Sequence, residues 1–318
     1  MDNSKIYKVG KGCVAILLAT YNGYNFLEEQ IQSILKQNNS EWQLFIHDDG
    51  STDGSREIIA EYCSQYPDRI HEILGETTGC ARNNFFYMLE QVEADYYMFC
   101  DQDDVWMPYK VETLYKRMRR LELNNTGNTI PLLVFSDLMV VGNNLELIAE
   151  SLADYQSLDC KNVSFARLLA QNVITGCSMI INRDLRNRMI LPCNRNRIIM
   201  HDWWAGLIAA RFGTVRFVNR ALVMYRQHDT NSVGAINTKS LKYYIDNLNK
   251  VKNNKNSLRL TRIQAKEFSN TFEEEEESLS YRYAYINKSS WAGRQLFYHK
   301  NGIKKSGTGR KIGMFLWG

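Results

Sequence analysis

Three polar clusters, each placed directly behind a short apolar run, constrain this chain more than any other feature. Residues 14–19 run into Thr20-Tyr21-Asn22-Gly23, 42–47 into Asp48-Asp49-Gly50-Ser51-Thr52-Asp53-Gly54-Ser55, and 96–100 into Asp101-Gln102-Asp103-Asp104. Apolar runs of this length, bounded by turn residues, read as strands buried on both faces. Between them the spacing turns helical: 26–36 carries apolar residues at 27, 31, 34 and 35, with further helices predicted over 55–65 and 81–92 and a short strand over 70–74. This β-α-β-α-β-α-β order predicts a mostly parallel sheet covered by helices. Ligands of such sheets bind beyond the carboxyl ends of the strands, so the three clusters should gather at one edge.

The second half is more mixed. Strands are predicted over 132–137, 139–141, 176–181, 215–219 and 221–226, and helices over 163–172 and 201–212. After about residue 239 the chain is polar, with helical content and an acidic run at 273–277. Residues 278–318 hold no acidic residue and eight basic ones: Arg282, Lys288, Arg294, Lys300, Lys304, Lys305, Arg310 and Lys311. The division expected is a ligand-binding α/β domain over 1–235 and a helical, basic region over 236–318, in line with the size prior for 318 residues. Seven widely spaced cysteines without a CxxC pair argue against a disulfide framework or a zinc site and fit a reducing cytosol. The net charge of +4 comes with no nucleic-acid motif, so no nucleic-acid partner is expected. The apolar run at 13–19 falls well short of the roughly 20 residues that span a bilayer.

Each cluster has its own chemistry. Carboxylates two apart at a strand exit, Asp101 and Asp103, can reach one hard cation, and Mg²⁺ or Mn²⁺ takes such carboxylates together with substrate phosphates. The Thr20–Asn22 turn, with one aromatic ring, suits a nucleotide base. A carboxylate of Asp48 or Asp49 can accept from a ribose hydroxyl or a base imide. Taken singly, each also fits ordinary turn chemistry.

Taken together and in this order, strand-TYNG, strand-DDGSTDGS and strand-DQDDVW resemble family 2 glycosyltransferases with the GT-A fold, a likeness covering about residues 12–230. The segments Ile174-Thr175-Gly176-Cys177-Ser178, Met200-His201-Asp202-Trp203-Trp204 and Tyr225-Arg226-Gln227-His228 are similar to bacterial rhamnosyltransferase-like members that build surface polysaccharides. The resemblance implies inverting transfer of a sugar from a nucleoside diphosphate to an acceptor hydroxyl. It implies that Thr20, Tyr21 and Asn22 hold the base, and that Asp48 or Asp49 contacts base or ribose. Arg82, Asn83, Gln102, Gly176 and Arg226 would serve the donor. Asp101 would face ribose or metal, Asp103 would be the main metal ligand, and His228 would join them. Asp202 would be the general base, although His201-Asp202 stands where the family carries Glu-Asp. His201, Trp203 and Trp204 would lie on the acceptor side, one indole stacking on a sugar and the other in the core.

The donor implied is dTDP-L-rhamnose, with a UDP-hexose as the rival, and the acceptor a lipid-linked glycan. A nucleotidyltransferase is disfavoured because Thr20–Tyr24 holds one glycine and no basic residue. A non-catalytic sugar-binding relative would have no need of Asp101, Asp103 and Asp202. The basic, aromatic C-terminus reads as a surface for an anionic membrane or for an oligomer contact. Location is expected to be cytoplasmic, peripheral at the inner face of the cell membrane.

Overall fold

The computed structural model describes residues 6–125, 129–228, 235, 238 and 251–318. All but one residue of β2 (Val14–Thr20) are buried, and its side chains alternate between two cores. Ala15 and Leu17 join a cluster with Phe45, Phe85 and Phe86, while Val14, Ile16 and Leu18 join one with Leu27, Ile31 and Met118. A strand apolar on both faces belongs at the centre of a covered sheet. Accordingly β2 pairs in parallel with β3 (Trp42–Asp48) on one side and β6 (Tyr96–Asp101) on the other, with β4 (Ile70–Glu72) beyond β3. Helices α1 (Tyr24–Leu35), α2 (Ser55–Gln65) and α3 (Ala81–Gln91) make the crossovers, and β1 (Tyr7–Lys8) and β5 (Val92–Glu93) form a small separate pair.

Beyond β6 the sheet becomes mixed. β10 (Met179–Asn182) lies antiparallel to both β6 and β8 (Leu132–Val141), and β11 (Thr214–Arg226) runs parallel to β8. β7 (Val105–Trp106) closes the far edge against β11, and β9 (Leu147–Ala149) pairs with β8. Three strands thus separate β6 from β7 in the order β6-β10-β8-β11-β7, although β6 ends at Asp101 and β7 begins at Val105. In a flat sheet four strand spacings amount to about 19 Å, whereas four residues reach at most about 14 Å. The sheet therefore curls, and the acidic turn 102–104 bridges its two limbs. That curl brings the end of β11 to the acidic turn.

The strands predicted over 132–137 and 139–141 are one strand, β8, and those over 215–219 and 221–226 are one strand, β11, whose register shifts at Val218/Ala221 and Ala221/Met224 absorb the polar interruption. The strand predicted from 176 begins only at Met179. Gly176–Ser178 is a tight 3₁₀ turn, because the Gly176 amide is taken by Asp202 Oδ2 at 3.0 Å and Ser178 N bonds Thr175 O.

Helices α4 (Lys110–Asn124), α5 (Leu152–Tyr155), α6 (Phe165–Ala170), α7 (Arg183–Met189) and α8 (His201–Phe212) complete the first 228 residues. Then follow α9 (Val251–Thr271), α10 (Leu279–Ala284), α11 (Trp291–Lys300) and α12 (Thr308–Trp317). Residues 239–250, where the polar helical stretch was expected to start, and residue 236, at the expected domain boundary, lie outside the described residues. Phe268, Tyr283, Phe297 and Met314 of the C-terminal helices share one apolar cluster with Phe85 and Trp204. Trp204 is the joint: its ring meets Phe268 edge-on at 5.6 Å and Phe272 at 6.1 Å. Trp204→Ala is expected to destabilise the protein by about 3–5 kcal/mol, measured as a lowered urea midpoint with intact donor binding below the transition.

Candidate active site

The first two clusters build one another. The Asn22 amide donates to Ser51 Oγ (2.8 Å), Gly23 N to Ser55 Oγ (2.9 Å) and Tyr24 N to Asp53 Oδ2 (3.0 Å). Asn22, at φ +48°, returns a bond by accepting from Thr52 N at 2.9 Å. The opening amides of α1, which lacks a side-chain cap of its own, are thus satisfied by the next loop. Asp48 accepts from Gly50 N, Ser51 N, Ser51 Oγ and Arg56 Nε. Burial alone would raise its pKa, but these bonds from Ser51, Arg56 and Gly50 outweigh it and hold Asp48 below the usual value. Asp48 is therefore spent on its own turn, a correction to its expected part in donor binding, and Asp49 is the carboxylate left for that role. Asp49 Oδ1 accepts from Thr78 N and Gly79 N, which ties the approach to α3 to the site.

The third cluster is clasped to the first. Gln102 Oε1 accepts from Thr20 Oγ1 at 2.6 Å and Tyr21 N at 2.8 Å, and Gln102 Nε2 donates to Tyr21 O at 3.1 Å. Its amide fixes the Tyr21 main chain and leaves the exposed Tyr21 ring presented to solvent. Arg82 is used similarly, donating to Ile198 O at 2.6 Å and Asn196 Oδ1 at 3.4 Å, while Asn83 Nδ2 donates to Thr78 O at 3.2 Å.

The acidic turn divides its carboxylates by environment. Asp103 Oδ2 lies 2.8 Å from His228 Nε2, so the structure brings these two expected partners together. Asp101 is half-buried, and burial, then the charges of Asp103 and Asp202, push its pKa up to about 7. Asp104 was not singled out in the sequence, yet it is buried, with Asp103 and Asp101 beside it, and its pKa stands well above the ordinary range. Its Oδ1 accepts from Arg226 N at 3.2 Å, and the Cys177 thiol lies against its carboxyl.

A carboxyl or thiol atom of each of Asp101, Asp104 and Cys177 lies within 4.8 Å of the other two. Burial, then Asp104 and Asp101, push the Cys177 thiol well up. A neutral thiol is a poor ligand, so the hard oxygens are the donor set. Asp101, Asp103 and Asp104 crowd one turn, where the charge of Asp103 raises the pKa of the other two, and carboxylates crowded in this way fit a divalent cation.

Beneath them, Lys110 is fully buried, donating to Cys177 O at 2.6 Å with Nζ 2.9 Å from the Trp106 ring centroid. Burial pushes its pKa down to about 7 against the pull of Asp104 and Asp101. Its signal was legible: Lys110, Leu114, Met118 and Leu121 form one buried stripe on α4, and a lysine on such a stripe needs a partner.

Asp202 lies within the first turn of α8, whose N-cap is Met200, and so is not itself the cap. Its Oδ2 accepts from Gly176 N, and its Oδ1 from Asn172 Nδ2 at 3.1 Å and Trp203 N at 2.5 Å. Burial still pushes its pKa up to about 7 against these bonds. A buried carboxylate with that pKa, close enough to raise Asp101, can take up a proton near neutrality.

Four further residues expected at the site are held inside the fold. Trp204 is fully buried between α8 and α9, so it is the indole of the pair expected in the core. His201 is enclosed by Phe85 (4.2 Å) and Phe99 (5.0 Å), and burial pushes its pKa down to about 3, so a neutral ring fills the core. Gly176 is required by that ring: a Cβ there would meet His201 Nε2 at 2.6 Å, so the close approach is to His201 and not to a sugar. Arg226, 3% exposed, donates to Asp103 O (2.7 Å), Asn143 O and Glu29, so it braces the acidic turn. Trp203 is half-buried, its Nε1 donating to Leu168 O at 2.6 Å.

Known proteins resemble this chain in sequence and in fold. The sequence profile of glycosyl transferase family 2 matches residues 15–131, the stretch that carries all three clusters. The dTDP-rhamnosyl transferase RfbG of Shigella flexneri is 30% identical over 230 residues, 69% of this chain and 74% of that protein. Among solved structures, S. aureus TarS 1-349 in complex with UDP superposes with a TM-score of 0.55 at 14% identity, over 86% of this chain and 69% of that one. The mannosyltransferase PcManGT from Pyrobaculum calidifontis, in complex with GDP-Man and Mn²⁺, gives 0.51 at 14% identity, over 93% and 77%. Likeness at that identity shows the shared fold, the GT-A arrangement that the motifs implied.

Proposed function

The chain belongs to glycosyl transferase family 2, and from that membership we propose that it moves L-rhamnose from dTDP-L-rhamnose to a hydroxyl of a lipid-linked glycan, with inversion. The observation that carries the reading is Asp202, a buried carboxylate with a pKa near 7 beside the acidic turn. Its role is to accept the acceptor's hydroxyl proton as the oxygen attacks the anomeric carbon and the bond to the diphosphate breaks. One displacement of this kind inverts the configuration. Tyr21 and Asn22 present the base platform, Asp49 takes the base or ribose, and Trp203 is the remaining acceptor-side ring. Asp101 and Asp103, with His228 bonded to Asp103, hold Mg²⁺ or Mn²⁺. A bound ion would offset charge on the diphosphate leaving group. The 30% identity to a dTDP-rhamnosyl transferase supports the donor assignment. A lipid-linked acceptor puts the work at the inner face of the cell membrane.

A thermal-shift panel with Mn²⁺ and UDP, dTDP, GDP or CMP tests this, because a ligand that binds only the native state raises the melting temperature. The expected result is a Mn²⁺-dependent rise with dTDP that exceeds the others. A larger rise with UDP would keep the family and replace rhamnose by a UDP-hexose. No rise with any nucleotide would leave a sugar-binding relative as the better reading.

A further inference from the structure

The C-terminal helices turn apolar side chains outward. On α12 the exposed positions include Thr308, Lys311, Ile312, Phe315 and Leu316, which fall at i, i+3, i+4, i+7 and i+8, while Gly313 and Met314 are buried. An exposed face at this spacing is normally polar, yet three of these five side chains are large and apolar. On α11, Phe297 and Tyr298 are buried while Trp291 and Leu296 are exposed, Leu296 to 68%. The Trp291 and Phe315 rings meet edge-on at 5.1 Å, and the Trp291 Nε1 donates to Phe315 O at 3.0 Å. The two outward faces therefore make one surface, of a kind that marks a contact and not ordinary scatter.

Charge selects the occupant. Residues 278–318 hold no Asp or Glu, and Lys300 on α11, Lys304 in the loop after it and Lys311 on α12 are exposed. Apolar side chains, a tryptophan and lysines with no acid among them are the chemistry of a helix lying on an anionic bilayer. Among the described residues no helix is long and apolar enough to cross one. We propose that α11 and α12 form a docking surface for an anionic lipid bilayer. Trp291, Leu296, Ile312, Phe315 and Leu316 enter the boundary between headgroups and acyl chains, and the lysines meet lipid phosphates. This goes beyond the transfer reaction, and its test needs neither donor, acceptor nor metal.

The full chain is sedimented with vesicles of phosphatidylcholine alone and of phosphatidylcholine with phosphatidylglycerol in equal parts. The expected result is binding to the anionic vesicles about tenfold tighter or more, weakening as salt rises. Ile312→Asp with Phe315→Asp should lose about tenfold or more. Lys300→Gln with Lys304→Gln and Lys311→Gln should lose about as much. Circular dichroism and an unchanged urea midpoint confirm that each variant is folded, and the lysine variant keeps the test intact if the apolar one does not fold. Absence of wild-type binding to anionic vesicles, or variants that sediment like wild type, would overturn the proposal. So would a dimer seen by light scattering that the Ile312/Phe315 variant breaks up, if no vesicle binding accompanies it; the patch would then belong to a second copy.

Discussion

Asp202→Asn is expected to lower kcat by about 10²–10⁴-fold, the span a general base supplies, with nucleotide binding retained. The amide keeps the carboxylate's shape but cannot take up the acceptor's proton. Asp202 is held by the Gly176 and Trp203 amides and by Asn172, all donors. One oxygen of the new amide can still accept, while its NH₂ meets a donor, so a modest fall in melting temperature should accompany the loss of turnover. The sign of the pH dependence follows from the raised pKa. A base works deprotonated, and Asp202 titrates at about 7, so wild-type kcat should fall about tenfold per unit as pH drops below that value and level off above it. In Asp202→Asn this acid limb should flatten. Turnover within tenfold of wild type would remove Asp202 from the base position and would sink the catalytic reading of the buried carboxylate.

The parts of the fold fixed by local pattern were legible in the sequence. β2, β3 and β6 are apolar on both faces, and runs of that kind have few alternatives to a central parallel strand. The curl was not legible, because it depends on β7, two residues long, pairing with β11 more than a hundred positions later. The site shows the same division. The motifs marked three turns that the fold bonds to one another, but sequence gave no way to tell a side chain that meets a ligand from one that builds the turn. Asp48, Gln102 and Arg226 prove to be builders, each with its polar atoms bonded inside the protein. Their polarity is identical in both roles; only the fold supplies the partners. His201 was misplaced for a related reason, while Trp204 is the indole expected in the core. A first-turn position beside the candidate base reads in sequence as facing the acceptor, but α8 is packed on both sides, against Phe85 and Phe99 on one and against α9 on the other. Lys110 is the opposite case, a residue whose position on an apolar stripe already required a buried counter-group.

The division of labour in the acidic turn yields the second large effect. Asp103→Asn is expected to cut kcat by about 10²–10⁴-fold, as loss of several kcal/mol of charge stabilisation by an ion would do. It should also abolish the Mn²⁺-dependent part of the thermal shift with nucleotide, a readout independent of turnover. The asparagine oxygen can still accept from His228, so the local bond at 2.8 Å is conserved while the charge is lost. Asp104→Asn is the matched control. Asp104 is buried, and burial, then the charges of Asp103 and Asp101, push its pKa well above the ordinary carboxylate range. Burial disfavours charge at this position, which an amide lacks, and the asparagine oxygen can go on accepting from Arg226 N. Asp104→Asn should therefore stay within about tenfold of wild type, the loss being one of fit. The reverse ranking, with Asp104→Asn severe and Asp103→Asn mild, would mean that an ion sits deeper, among Asp101, Asp104 and Cys177, whose ligand atoms already lie within 4.8 Å of one another. In that case the ion would need the ionised form of Asp104, which burial disfavours, and Mn²⁺ affinity would climb with pH. In the Asp101/Asp103 arrangement, Asp104 instead remains a brace between the acidic turn and Arg226.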